Sequence, residues 1–542
     1  MRAVLLACLA GTLLALAFPY TSFWPLAWVG LVPLLVALKD ERPTTGFALG
    51  YVFGLVFMGI TLRWCAVLAL EMYIPFVLVE SVLCGVFGLV ASLLVNQQKL
   101  SPPWRALGVG SAWTLLEFLR EQGPYALTWS QVSYSQLPFL PIVQIADLTG
   151  AFGISFLVVT VNATLAELFF WKRTRQTGEP LPRSLRGLAI GCALSTALCI
   201  GYGLSRLAAF PAHPVAPAVA GSTNEKTIAS ATTRSSEQTV RVACVQPSED
   251  PYTRWTRGQG GRIVMELELL TREAARDGAQ LIVWPETAVP ESVLRNPPLV
   301  AELRNLATSL HVNVLIGSAE WTNPASTGTQ PPPQPSRMLA RETNSALLLT
   351  SRGSLNQRYD KMHLVPFGEY LPWRPVLGRL SIFAEGLPHD LAAGTVPTIF
   401  HLNLGTATLR FSTLICFEST FAAMARERMR AGAQFLVVIT NDGWFGHTSA
   451  AAHHLAMTAM RAIEERTWVV QCGNTGISAF IDPGGHIHGQ TALYLPTITT
   501  HTIAASAPGT VYEQFGDWFI GLTLALLGAC AALGCRSTGR DA

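Results

Sequence analysis

The chain has 542 residues, half of them hydrophobic and only 13% charged, with a net charge of +3 and a mean hydropathy of +0.34. Soluble domains carry about 25% charged residues, so this composition excludes an ordinary soluble protein and points to a membrane protein, and the small net charge gives no sign of a nucleic-acid partner. Ten cysteines are scattered without a single C-x-x-C pair, which leaves neither zinc spacing nor a compact disulfide framework.

The opening "MRAVLLACLAGTLLALAFPY" resembles a signal peptide. Further apolar runs follow it and no cleavage site is visible, so it reads as a retained span. "LLAC" at 5–8 has the form of a lipoprotein acylation box, but almost no apolar region precedes it. Runs of roughly membrane-spanning length lie near 3–19, 24–38, 46–68, 73–96, 105–119, 147–171 and 187–206, with an eighth near 515–534. The fifth is short and holds Glu117. With the N-terminus in the cytoplasm, twelve Lys and Arg of the short loops and tails fall inside, against Arg63, Arg120 and Arg206 outside. The bias predicts both termini in the cytoplasm and the segment between spans seven and eight on the other side. Within 120–146, Tyr125, Trp129, Tyr134 and Phe139 alternate with polar residues. This segment reads as an interfacial anchor or, more sharply, as part of a lipid-facing entrance.

Residues 1–206 are thus a transmembrane domain of about seven spans, and 207–238, rich in Pro, Ala, Ser and Thr, a linker. Residues 239–514 change texture. Strand-like runs lie at 239–246, 279–286, 311–319, 345–350, 408–416, 434–441, 467–474 and 476–482, Val/Ile/Leu-rich as strands covered on both faces are. Amphipathic helical stretches fall at 259–277, with Ile263, Leu267, Leu270 and Ala274 on one stripe, and at 451–466, with Leu455, Thr458, Ala459, Ala462 and Ile463. The alternation predicts an α/β domain. The proline-rich insert 322–337 reads as a disordered surface loop, and 515–542 as the last span with a cytoplasmic tail.

Three polar interruptions sit beside strand ends or their loops: "VWPET" with Glu286, "YDKMHLVPFGEYLP" with Lys361 and Glu369, and "LICFEST" with Cys416 and Glu418. Ligands of open α/β sheets gather beyond the carboxyl ends of strands. A thiol attacks as its thiolate, a carboxylate can take the proton, and an ammonium with a backbone N–H can hold the oxyanion that forms on an attacked carbonyl. Glu286 is therefore the candidate base, Cys416 the nucleophile, and Lys361 with the Phe417 N–H the oxyanion partners. Singly, each residue reads more simply as packing, a turn or an exposed loop charge.

In this order the three motifs resemble the Glu…Lys…Cys set of the nitrilase superfamily, whose fold is an α-β-β-α sandwich. With spans on both sides, and with "KMHLVPFGEYLPWR" and "NDGWFG", nearly the whole chain resembles the membrane-embedded branch of that superfamily, the bacterial apolipoprotein N-acyltransferases. The resemblance implies a polytopic inner-membrane protein of about eight spans carrying a periplasmic nitrilase-like domain. It implies transfer of an acyl chain from a phospholipid, typically phosphatidylethanolamine, to Cys416 as a thioester. The N-terminal amine of a diacylglyceryl-cysteine apolipoprotein then receives it. No cofactor or metal is implied, and a monomer is expected. Glu369 and Glu418 match supporting carboxylates, and Trp255 and Asn344 match substrate-contacting positions. Phe417 departs from the Tyr common after the nucleophile, which removes a hydroxyl but leaves the N–H.

Other features read more plainly. His447, His453 and His454 lie close together without a carboxylate at metal-ligand spacing. Trp444 and Phe445 of "NDGWFG" are either turn residues or an apolar lid against acyl chains. Cys472 reads as packing. The alternative function is a membrane-tethered amidase or nitrilase acting on a small C–N substrate, which would not need the spans. A transporter or scaffold is a third reading, opposed by the scarcity of mid-membrane ionisable residues.

Overall fold

In the membrane half, proline sits in the first turn of the helices that begin at Val32, Pro43 and Pro102, where a missing N–H costs nothing. The helices are α1 (Arg2–Ala15), α2 (Val32–Leu38) after a 3-10 turn at Trp24–Trp28, α3 (Pro43–Thr61), α4 (Leu70–Asn96), α5 (Pro102–Arg120), α6 (Ala151–Thr174) and α7 (Arg183–Ala209). The computed structural model describes residues 1–68, 70–177, 179–210, 238–250, 252–253, 258–322, 341–379, 389–405, 407–506 and 509–535. The predicted linker from 211 on and the insert from 323 on lie outside the described residues, and α7 runs three residues past the predicted start of the linker. Among the described residues, five helices are long and apolar enough to cross a membrane: α3, α4, α6, α7 and the C-terminal Trp518–Cys535. The helices α1 and α2 are shorter, and α5 carries Arg105, Glu117 and Arg120.

Tight packing in this half depends on small residues. Gly46, Gly50 and Gly54 of α3 meet Gly88, Cys84 and Ser81 of α4. A Cβ at Gly88 would stand 2.3 Å from the Gly46 carbonyl oxygen, so the backbones touch. The ionisable side chains face one another. Arg120 Nε donates to Glu80 Oε2 at 2.7 Å, and Arg105 forks onto both oxygens of Glu167 at 2.7 and 2.6 Å. Arg120 also donates to the Trp129 carbonyl, and Glu117 accepts the Val132 N–H. These bonds draw 126–136 inward, where Trp129 and Tyr134 are buried. Only Tyr125 of this group stays exposed, so the reading of the whole segment as an interfacial anchor is corrected.

The second half contains β1 (Thr239–Gln246), α8 (Gln259–Arg276), β2 (Leu281–Val283), α9 (Pro297–Leu310), β3 (Asn313–Thr322), β4 (Arg341–Leu349), β5 (Gln357–Asp360) and β6 (Ile399–Leu404). It continues through β7 (Ala407–Ile415), α10 (Ala422–Arg430), β8 (Phe435–Thr440), α11 (Ala450–Glu465), β9 (Val469–Gly473), β10 (Ala479–Ile481), β11 (Ile487–His488), β12 (Thr497–Ala504) and α12 (Trp518–Cys535). The strands form two six-stranded sheets, ordered β12-β1-β2-β3-β4-β5 and β11-β10-β9-β8-β7-β6. The centres β1-β2-β3 and β7-β8-β9 are parallel and the flanks antiparallel. Val242, Leu281, Leu315, Phe411, Val437 and Cys472 fill the space between the sheets. Helices α8 and α9 cover the first sheet, and α10 and α11 the second. This is the expected α-β-β-α sandwich.

One helix joins the two halves. Leu455, Ala459 and Ala462 of α11 pack on the second sheet, while Met457, Met460 and Ile463 belong to the core of the membrane half. That is why α11 is buried on nearly every side despite its amphipathic sequence.

Gly317 of β3 allows the turn after β2 to come close: a Cβ there would lie 2.0 Å from the Pro285 carbonyl oxygen and 2.9 Å from Glu286 Cα. Gly317→Ala is expected to cost about 1–3 kcal/mol by overpacking and, by displacing Glu286, to reduce activity far more than a comparable loss of stability elsewhere. Thermal unfolding and turnover of the purified variant check both.

Candidate active site

Glu286, Lys361 and Cys416 all stand just past strand ends. Glu286 follows β2 by three residues, behind Trp284, whose indole N–H donates to Thr271 Oγ1 at 2.9 Å. Lys361 follows β5, its N–H bonded to the Asn344 carbonyl at 2.8 Å. Cys416 follows β7 with φ of +52°, a left-handed conformation that costs a non-glycine residue about 1–3 kcal/mol and concentrates at functional sites. The 3-10 turn Cys416–Thr420 begins there.

The charges converge on Lys361, a residue only 1% exposed. Its ammonium donates to Glu369 Oε1 at 2.8 Å and lies 3.5 Å from Glu286 Oε1. Asn344 Nδ2 donates to the same two oxygens, at 3.1 and 2.7 Å. The Asn441 N–H holds Glu286 Oε2 at 2.9 Å, and the Val365 N–H holds Glu369 Oε2 at 2.8 Å. Burial alone would pull the Lys361 pKa down, but Glu369 and Glu286 more than offset it, so the ammonium is held above its usual range. Burial, joined by Glu286 and Asp442, pushes the Cys416 thiol well above its ordinary range against the opposing pull of Lys361. Cys416 therefore rests as a thiol, and any attack by its sulfur requires a base.

Glu418 ties the lysine loop to the nucleophile strand. It is fully buried and accepts from Tyr359 Oη at 2.7 Å, the Met362 and His363 N–H groups at 2.7 and 3.0 Å, and the Ile415 N–H at 2.8 Å. Burial raises its pKa, and these donors oppose that rise. Arg428 Nη2 donates to the same tyrosine hydroxyl at 2.8 Å.

A cavity of about 110 Å³ reaches Cys416 and Phe417. Trp64, Leu68, Met72 and Phe76 of the membrane half line it, with Leu127 and Trp129 of the inward segment and Val365–Phe367, Phe445 and His454 of the catalytic half. The thiol thus lies at the end of an apolar chamber built by both halves. The sharper reading of the aromatic segment, as part of an entrance, is consistent with Tyr125, Leu127 and Trp129 lining this chamber.

Asn344 joins the charge cluster directly. Phe445 lines the cavity, whereas Trp444 is half-exposed against the Tyr252 ring, 5.2 Å away. Trp255 lies outside the described residues. Cys472 is buried and donates to the Val283 carbonyl at 3.2 Å. The three histidines part company: His447 packs on Tyr494, His453 donates to the Pro19 carbonyl and His454 bonds Asp442. Sequence reasoning missed Asn441, Tyr359 and the His454–Asp442 pair. "NDGWFG" and "HH" were the available signals; the first was read as a turn or an apolar lid, and the second only as a metal set that lacked its carboxylate.

Replacing Lys361 leaves two carboxylates buried without their cation. Lys361→Met is expected to cost about 3–5 kcal/mol and to abolish turnover, while Lys361→Met with Glu369→Gln recovers part of the stability and none of the activity. Denaturant unfolding beside activity of the three proteins checks this.

Two family models match the chain: the apolipoprotein N-acyltransferase N-terminal domain over residues 10–164 and carbon-nitrogen hydrolase over 241–509. The apolipoprotein N-acyltransferase of Geobacter metallireducens is 31% identical, over 99% of this chain and 96% of that protein. That of Gloeobacter violaceus is 32% identical, over 97% and 94%. Among solved structures, an amidase from Nesterenkonia sp. AN1 aligns at 18% identity with a TM-score of 0.36, over 53% of this chain and 99% of that one.

Proposed function

The chain belongs to the apolipoprotein N-acyltransferase family, and from that premise we propose a two-step acyl transfer with Cys416 as the carrier. Glu286 takes the thiol proton, and the thiolate attacks the sn-1 ester carbonyl of a phospholipid. The Lys361 ammonium and the Phe417 N–H hold the negative charge that moves onto oxygen. The C–O bond then breaks, the lysophospholipid oxygen takes the proton from Glu286, and the acyl chain remains on sulfur. In the second step the α-amine of a diacylglyceryl-cysteine apolipoprotein attacks the thioester. Glu286 accepts the amine proton and returns it to the departing Cys416 sulfur. A thioester giving an amide runs downhill without ATP, metal or cofactor.

The observation that carries this reading is the apolar chamber ending at Cys416. An acyl chain gains about 0.8 kcal/mol per buried CH₂, so such a chamber favours a fatty acyl donor over the small substrates of a tethered amidase. Glu369 and Glu418 support the lysine and the loop, and Asn344 bridges Glu286 and Glu369. Phe445 contacts the acyl chain from the chamber wall and Trp444 contacts substrate outside it; Trp255 is proposed as a further substrate contact. Residues 1–206 and 515–542 are the membrane part, with α1, α2 and α5 completing eight crossings, and 239–514 is the catalytic domain. The loop-charge bias supports an inner-membrane protein with cytoplasmic termini and a periplasmic active site. Phosphatidylethanolamine is the proposed donor, and the enzyme is proposed to act as a monomer.

Incubation with a phospholipid labelled in its sn-1 chain tests the assignment. Wild-type enzyme should release lysophospholipid and Cys416→Ser should not; release by Cys416→Ser at the wild-type rate would overturn it. The raised thiol pKa carries a sign as well. Thiolate is scarce at neutral pH and grows about tenfold per pH unit up to that pKa. Alkylation of Cys416 by iodoacetamide should therefore keep rising past pH 9.5, where an ordinary thiol of pKa about 8.5 has levelled off.

A further inference from the structure

Among the buried ion pairs that the mechanism does not use, one touches the backbone of Cys416. His454 on α11 and Asp442, just past β8, are both buried, at 1% and 2% exposure. His454 Nδ1–H donates to Asp442 Oδ1 at 2.9 Å, and the Thr440 hydroxyl donates to the same oxygen, also at 2.9 Å. On the other side of the ring, Nε2 lies 3.2 Å from the Cys416 carbonyl oxygen and 2.7 Å from Ser419 Oγ. A carbonyl oxygen can only accept, so Nε2 carries a proton as well. Ser419 Oγ in turn donates to the Cys416 carbonyl at 3.0 Å. Burial pulls the His454 pKa down, but Asp442 outweighs it and holds the ring above its usual range, in keeping with an imidazolium that donates from both nitrogens.

The carbonyl of Cys416 and the N–H of Phe417 belong to one peptide unit. That unit is planar and rigid, with C=O and N–H pointing in opposite directions. Fixing the oxygen therefore fixes the line along which the N–H points. Phe417 is the second residue of the turn 416–420, so its N–H has no carbonyl partner within that turn. The left-handed φ of Cys416 needs such external restraint to persist. A charged donor on the oxygen also polarises the amide and strengthens its N–H as a donor.

We propose that His454, oriented by Asp442 and working with Ser419, is a positioning residue that aims the Phe417 N–H at the oxyanion of each tetrahedral intermediate. The inference rests on the acyl-transfer reading above, in which that N–H stabilises the oxyanion. The imidazole does not take the thiol proton: its Nε2–H is shared between Ser419 Oγ and the Cys416 carbonyl, and Glu286 remains the base.

The test separates attack that needs an oxyanion hole from attack that does not. Thioester formation on Cys416 from a phospholipid develops an oxyanion, whereas alkylation of the same sulfur by iodoacetamide is a displacement at saturated carbon and develops none. In detergent-purified full-length enzyme, both rates are measured at one fixed pH, with peptide mapping to read Cys416 among the ten cysteines. His454→Ala should slow thioester formation roughly 10–100-fold, as a misaimed donor does. The KM for phospholipid should barely move, and alkylation should stay within about twofold of wild type. His454→Gln, which keeps a donor for the carbonyl, should regain at least tenfold of what His454→Ala loses. Asp442→Asn, which keeps a bond to Nδ1 and loses the charge, should fall between Ala and wild type. Unchanged acylation in His454→Ala overturns the proposal. Alkylation falling in parallel with acylation also overturns it, because His454 would then be acting on the thiolate or on the fold. A Gln variant as slow as the Ala variant overturns it too. A wild-type enzyme that forms no thioester on Cys416 defeats the acyl-transfer reading itself, a result distinct from these.

Discussion

The site is organised by one ammonium that cannot leave. Lys361 is buried with two carboxylates on it, and Asn344 bridges the same two oxygens. A buried carboxylate without a cation is costly, so Glu286 and Glu369 must be where Lys361 is. The loops that carry them, after β2 and β5, are therefore pinned together across separate strands. Glu418 extends the constraint to β7 by holding both the lysine loop and the Ile415 N–H. A cation, a carboxylate and a thiol drawn from three strand ends thus become one object, and in the proposed mechanism their pre-set geometry removes reorganisation from the chemical step.

The same cluster explains why Cys416 rests as a thiol. Two carboxylates face one ammonium, so the site has no surplus positive charge to hold a thiolate, and burial adds to the cost of the anion. In the proposed mechanism the charge passes from sulfur to an ester oxygen. Lys361 and the Phe417 N–H are the proposed partners of that oxygen, and the His454 contact lies on the carbonyl behind that N–H. The apolar chamber serves the same end. It excludes water from a thioester that water would otherwise hydrolyse, and it is complete only because α11 packs the catalytic half against the membrane half.

Much of this was legible in the sequence, and the residues show why. Val/Ile/Leu runs marked the central parallel strands because strands buried on both faces read as continuous apolar segments. The edge strands β6 and β12 escaped notice. The first alternates buried and exposed residues and the second is threonine-rich and half-exposed, so neither forms an apolar run. Helix α10 was missed because "AAMARERMR" is largely polar, and its four buried residues are a narrow stripe. Glu286, Lys361 and Cys416 stood out because ionisable or nucleophilic residues beside strand ends are easy to see. His454 did not, because its partners, Asp442, Ser419 and a backbone carbonyl, come from three separate elements, and only the fold brings them together. The span count is the weakest signal for a related reason: Arg105, Glu117 and Arg120 lower the hydropathy of α5, while the ion pairs and hydrogen bonds that make them tolerable lie on other elements.

In the proposed mechanism Cys416 carries the acyl chain between two lipids. A single-turnover chase addresses it most directly. Enzyme is loaded from a phospholipid, freed of donor, and then mixed with a diacylated lipopeptide bearing a free N-terminal amine, while intact mass is followed on both. One acyl mass is expected on the Cys416 peptide, lost from the enzyme at the same rate as it appears as an amide on the lipopeptide. An acyl mass that never resides on Cys416, or one that is lost to water at the same rate with and without the lipopeptide, would contradict it.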